Sequence, residues 1–86
     1  MAHQNTPAER QMLHLVEKLP FPEETRSGWE EQIRNTGLTE ELYEEIRAKV
    51  VGDSDMNGPE KTRHEMELVR LVRQWRMETG AKKFGR

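Results

Sequence analysis

Oxygen-bearing side chains cluster between positions 53 and 58 of this 86-residue chain. Asp53, Asp55 and Asn57 alternate with other residues, and Gly58 follows them directly. Carboxylate and amide oxygens are the ligands that calcium prefers, and a glycine at the sixth position permits the sharp turn of a calcium loop. The spacing makes Asp53, Asp55 and Asn57 candidate metal ligands.

The same segment resembles the first six positions of an EF-hand calcium loop. Such a loop needs a bidentate carboxylate at its twelfth position, which His64 occupies here, while Glu65 comes one place late. We therefore interpret the segment as a turn between two helices and predict no bound metal and no cofactor. A protein with a degenerate calcium-binding loop is our third functional hypothesis.

Other groups that could carry out chemistry are scattered along the sequence. His3, His14 and His64 lie far apart and form no zinc-binding motif, and there is no cysteine. Ser27 and Ser54 have no identifiable base partner, and the sequence contains no glycine-rich phosphate loop. We predict that the protein is not an enzyme and has no small-molecule substrate.

Methionine and arginine side chains recur on one side of the predicted last helix, opposite its apolar stripe. Arginine and methionine are enriched at protein interfaces, and methionine packs against irregular shapes. In the alternative interpretation, the methionines cover a second neighbour within the bundle. The predicted interaction surface consists of Arg63, Met66, Arg70, Arg73 and Met77.

Charge is distributed unevenly along the chain. Residues 1–58 contain six Lys and Arg against twelve Asp and Glu, whereas residues 59–86 contain eight against four. The two halves either attract each other within one bundle or leave a basic element for an acidic partner. Nucleic-acid binding through the basic last helix and tail is an alternative function, but an isoelectric point of about 5.9 is low for that class.

Four segments have the capping residues and the apolar periodicity of amphipathic helices. They predict an all-α fold, either a small four-helix bundle or a homodimer of helical hairpins, with one domain over residues 1–80 and a short flexible basic tail over 81–86. The core is thin, because Leu, Ile, Val and Phe are only 16 of the 86 residues. The first predicted helix follows a capping box of Thr6 and Glu9 and extends from Pro7 to about Leu19, and the second extends from Pro22 to about Thr36, with Gly37 as a left-handed cap. Thr39 caps the third, which Gly52 closes, and Asn57 or Gly58 caps the fourth, which extends from Pro59 to about Thr79.

The predicted core consists of one apolar stripe from each helix. The second stripe is the thinnest, and the fourth, which contains Trp75, is the densest. The predicted stripe residues are Ala8, Met12, Leu15, Val16 and Leu19, then Thr25, Trp29 and Ile33, then Leu42, Tyr43, Ile46 and Val50, then Leu68, Leu71, Val72 and Trp75.

These features together favour a small helical protein that binds a protein partner or itself. The lack of cysteine and of an apolar leader near the N-terminus favours the cytoplasm. No apolar run approaches the length that a membrane-spanning helix needs, so we expect no membrane partner.

Overall fold

The computed structural model describes residues 4–80, which form four helices and no strand. The helices are α1 (Pro7–Lys18), α2 (Glu23–Thr36), α3 (Glu40–Val51) and α4 (Gly58–Thr79). Helix α1 packs against α2 and α4, and α3 packs against α4. The predicted all-α bundle is confirmed, and its core is closed within one chain. The predicted tail, residues 81–86, lies outside the described residues.

Three of the four helices begin at the side-chain caps that the sequence predicts. The hydroxyls of Thr6 and Thr39 and the side-chain oxygen of Asn57 accept backbone N–H groups three residues later, at 3.2, 3.0 and 2.8 Å respectively. Each bond satisfies an amide that has no partner within its helix. Helix α2 begins after Pro22, which makes no side-chain cap. Pro22 therefore precedes α2 and does not form its first residue as predicted.

Every apolar residue of the four predicted stripes is buried, whereas Thr25 of the second stripe is only half-buried. Leu38 and Met56 join it from the connections between helices, each with at most 6% of its surface exposed. Met56 thereby anchors the α3–α4 connection to the core. The thin stripe of α2 is supplemented by Phe21, whose ring meets Trp29 edge to face with 5.7 Å between centroids.

The carboxylate of Glu9 is buried, with 1% of the residue exposed, although it belongs to a helix cap. One carboxylate oxygen accepts the backbone N–H of Thr6 at 3.0 Å and the side-chain amide of Asn5 at 3.3 Å. The other accepts the backbone N–H of Leu38 at 2.8 Å and the indole N–H of Trp75 at 3.2 Å. We call Glu9 and these four donors the Glu9 cluster. It joins α1 to the α2–α3 connection and to α4, and so fixes the position of α4.

The connection after α2 bends so that it supplies one of these donors. Gly37 has a φ of 87° and a ψ of 171°. The positive φ confirms the predicted glycine cap, but the extended ψ is not the predicted left-handed helical conformation. This extended exit brings the N–H of Leu38 to the Glu9 carboxylate, a bond that a continuing left-handed turn would misplace.

A second carboxylate ties the end of α4 to the start of α1. Glu78 accepts the backbone N–H of Ala8 at 3.0 Å, which satisfies another first-turn amide of α1. Burial opposes ionisation of Glu78, but hydrogen bonds from Gln74, Ala8 and Thr6 outweigh it and lower its pKa below the ordinary value. The C-terminal end of α4 is therefore held against the start of α1.

Candidate protein-interaction surface

The predicted interaction residues all lie exposed on one side of α4. The opposite side of the same helix buries Leu68, Leu71, Val72 and Trp75. Met66 and Met77 expose 66% and 83% of their surfaces, so they do not cover a neighbour within the bundle. The alternative interpretation of the methionines is therefore wrong. We call Arg63, Met66, Arg70, Arg73 and Met77 the outer face of α4.

A recess of about 510 Å³ opens beside the outer face. Met66 and the half-buried Val69 contribute its apolar surface, and Glu65, Arg70 and Arg73 surround them. All five of these residues belong to α4, so the recess is an open gap between side chains of one helix. Val69 is a lining residue that the sequence analysis did not assign to the surface, because it lies between the core stripe and the outer face.

The arginines of α4 differ in the partners that they already have. Arg76 donates two hydrogen bonds to Glu40 of α3, at 2.7 and 2.8 Å, and this bonding raises the pKa of Arg76. Arg70 pairs with Glu67 of its own helix at 2.9 Å. Within residues 4–80, Arg63 and Arg73 form no ion pair. The outer face thus retains cationic groups that the bundle does not neutralise.

Attraction between the acidic and basic halves is also present within the chain. Glu40 of the acidic half bonds to Arg76 of the basic half at 2.7 Å. A second pair, Arg47 of α3 with Glu65 of α4 at 2.9 Å, has the opposite sense, because its cation belongs to the acidic half and its anion to the basic half. Both pairs join α3 to α4, and neither uses an arginine of the outer face. Attraction within the bundle and a basic surface for an acidic partner are therefore compatible, because they involve different residues.

The structure brings together two histidines that the sequence separates widely. His14 of α1 and His64 of α4 line one groove of about 530 Å³, with Lys18, Glu60 and Arg63 among its other lining residues. Sequence analysis missed this groove because it requires knowing that α1 packs on α4. Nowhere in the described part of the chain do three His, Cys, Asp or Glu side chains form a group that could hold a metal ion.

Side-chain oxygens of Asp53 and Asn57 in the calcium-like loop accept local backbone hydrogen bonds. The Asp53 carboxylate accepts the backbone N–H of Asp55 at 2.8 Å, and the Asn57 side chain accepts the N–H of Glu60 at the same distance. The first bond is typical of an Asx turn, and the second caps α4. The segment therefore acts as a helix-linking turn in the structure, with the buried Met56 at its centre.

Among residues 4–80, no helix is long and apolar enough to cross a membrane. The chain matches no family model, and no curated protein or solved structure matches it significantly.

Proposed function

We propose that the protein is a small protein-binding module that recognises an acidic protein partner through the outer face of α4. In this proposal the module carries out no catalysis and needs no cofactor. The observation that carries the proposal is the combination of two largely exposed methionines with three exposed arginines on one helix face. Burial of apolar surface supplies affinity, and the arginines favour a partner of opposite charge.

The bundle itself supports this assignment by leaving that face unused. The caps, the Glu9 cluster and the ion pairs to α3 all lie on other sides of α4. Exposed methionines lower the solubility of the free protein and contribute nothing to its core. A partner that covers these methionines and the recess beside them would bury their apolar surface.

Charge reversal tests the proposal without disturbing the fold. We expect Arg70→Glu combined with Arg73→Glu to leave helicity unchanged and stability within about 0.5 kcal/mol, because both side chains are exposed and bond to no other helix. The same variant should lose the partners that the full wild-type chain captures from extracts of its host. Nuclease treatment of the extract separates protein partners from nucleic acid.

A matched control reverses two exposed cations elsewhere. Arg34→Glu with Lys49→Glu changes the net charge equally on α2 and α3 and should retain the captured partners. If both double variants lose partners equally, net charge and not the outer face determines binding, and the proposal is wrong. If the Arg70 and Arg73 variant unfolds, those arginines stabilise the bundle instead.

A further inference from the structure

The connection between α3 and α4 contains the one asparagine of this chain that is followed by glycine. The three asparagines are Asn5, Asn35 and Asn57, and the first two are followed by threonine. In an Asn–Gly pair the glycine nitrogen reaches the side-chain amide carbon readily, because glycine has no Cβ and its backbone rotates freely. Threonine, which is branched at Cβ, hinders the same attack. Asn57 is therefore the asparagine whose neighbour best permits this reaction.

The structure leaves the Asn57–Gly58 pair accessible. Both residues are exposed, and the position that a Cβ on Gly58 would occupy has no neighbour within 4 Å. Gly58 is the first residue of α4, so its N–H has no acceptor within the helix. Asn5, by contrast, is half-buried and donates to the carbonyl of Ile33 at 2.8 Å. Asn35 lies inside α2, where the helical backbone holds the following amide.

One local movement separates the observed conformation from the reactive one. At its ψ of 167°, Asn57 does not align the Gly58 nitrogen with the Asn57 Cγ, so the Cα–C bond of Asn57 must rotate. This rotation disturbs two bonds of the first turn of α4, those from the N–H groups of Glu60 and Lys61 to Asn57, at 2.8 and 3.0 Å. Helix ends fray, and both Asn57 and Gly58 face solvent. Opening of one turn is therefore sufficient, and the core can remain intact.

We propose that Asn57 is a site of spontaneous deamidation, in which the first turn of α4 opens and the Gly58 nitrogen attacks the Asn57 Cγ. The new N–Cγ bond closes a cyclic imide while the Cγ–Nδ2 bond breaks, and the amide proton of Gly58 leaves with Nδ2 as ammonia. Water then opens the imide at one of its two carbonyl groups. Opening at Cγ gives aspartate, and opening at the backbone carbonyl gives isoaspartate, whose chain continues through Cγ.

The two products have different effects on α4. Aspartate caps a helix as well as asparagine does, and its charge is favourable at a helix N-terminus. Isoaspartate adds one carbon to the backbone and displaces the oxygen that accepts the Glu60 N–H, so this cap is lost. The loss falls directly after the buried Met56, which anchors the connection. Isoaspartate therefore loosens the start of α4, whereas aspartate does not.

Incubation of the full chain at mildly alkaline pH, followed by peptide mapping with mass spectrometry, tests the proposal. The conversion of amide to carboxylate changes the mass, and chromatography separates aspartyl from isoaspartyl peptides. We expect Asn57 to convert about tenfold or more faster than Asn35 or Asn5, which serve as internal controls. Gly58→Ala is the matched variant, because its added methyl group meets open space and leaves the fold intact. It should slow conversion at Asn57 about tenfold or more.

The effect on α4 is measured by thermal melting of the separated forms. Asn57→Asp reproduces the aspartyl product and should melt at or above the wild-type temperature. The isoaspartyl form should melt at a lower temperature, since it lacks the cap. An isoaspartyl form that melts like Asn57→Asp would overturn the assigned effect on α4.

Three results of the mapping overturn the proposal itself. They are conversion at Asn57 no faster than at Asn35, conversion that Gly58→Ala leaves unchanged, and conversion that occurs only after urea unfolds the bundle. The last result would show that the first turn of α4 does not open by itself. None of these results depends on whether the outer face of α4 binds a partner, so they leave the proposed function untouched.

Discussion

Glu9→Gln tests whether the buried carboxylate holds the bundle together. The amide that replaces it keeps one oxygen acceptor but presents N–H groups where the second oxygen accepted two hydrogen bonds. Two donors of the Glu9 cluster therefore lose their acceptor. Leaving a buried donor unsatisfied costs about 1–3 kcal/mol, so for two donors we expect a loss of about 2–6 kcal/mol. For a core this thin, that is comparable to the total free energy of unfolding.

Urea unfolding followed by circular dichroism measures the loss, since the midpoint falls while the slope stays constant if only stability changes. Glu17→Gln is the matched control, because Glu17 lies on the same helix with its side chain exposed. We expect that control to differ from wild type by about 0.5 kcal/mol or less. If Glu9→Gln behaves like Glu17→Gln, the four bonds to Glu9 contribute little and our account of the bundle is wrong.

A double-mutant cycle identifies the contribution of one donor. Trp75→Phe removes the indole N–H that donates to Glu9 at 3.2 Å but keeps an aromatic ring in the core. Because the two residues are in contact, we expect a coupling energy of about 0.5–3 kcal/mol between Trp75→Phe and Glu9→Gln. Additive effects would show that the indole contributes through packing alone.

Three further predictions follow from the core, the turn and the end of α4. Trp75→Ala should cost about 3–5 kcal/mol and more than Trp29→Ala. The Trp75 indole donates to the buried Glu9, whereas the Trp29 indole donates to the exposed Glu45, whose carboxylate water can also hydrogen-bond. An equal or larger loss for Trp29→Ala in urea unfolding would contradict this. Millimolar calcium should leave the helicity and the melting temperature unchanged, and an increase in melting temperature that Asp53→Ala abolishes would show a functional calcium site. Because the folded pKa of Glu78 lies below its ordinary value of 4.5, its ionised form stabilises the fold above that pH, and the stabilisation disappears as pH falls through the lowered pKa. Glu78→Gln should therefore cost more stability near about pH 6 than near about pH 3. A cost that does not vary with pH would exclude this role.

Local signals were sufficient to predict the helices and the core. Thr6, Thr39 and Asn57 identify helix starts because capping depends only on residues three positions apart. The apolar stripes identify the buried faces because helical periodicity is likewise local. The same periodicity placed Met66 and Met77 on the side of α4 away from the core, where the structure finds them exposed.

Pairings between distant residues could not be predicted in this way. The capping box explains one oxygen of Glu9, but nothing near Glu9 indicates that the other oxygen receives donors from Leu38 and Trp75. The meeting of His14 and His64 in one groove likewise depends on which helices are neighbours. Amphipathic patterns specify which face is buried and do not specify the element that buries it.

The Glu9 cluster also has a consequence for the order in which the protein folds. Its two buried bonds join residues 29 and 66 positions apart in the sequence, so neither can form before long segments of chain have closed. Until then the Glu9 carboxylate remains hydrated. If a partly assembled bundle excludes this water without supplying the hydrogen-bond donors, its free energy rises. Compact intermediates are thereby disfavoured, and unfolding should be a single cooperative transition. In native-state hydrogen exchange, the amide of Leu38 and the indole of Trp75 should then exchange only through global unfolding.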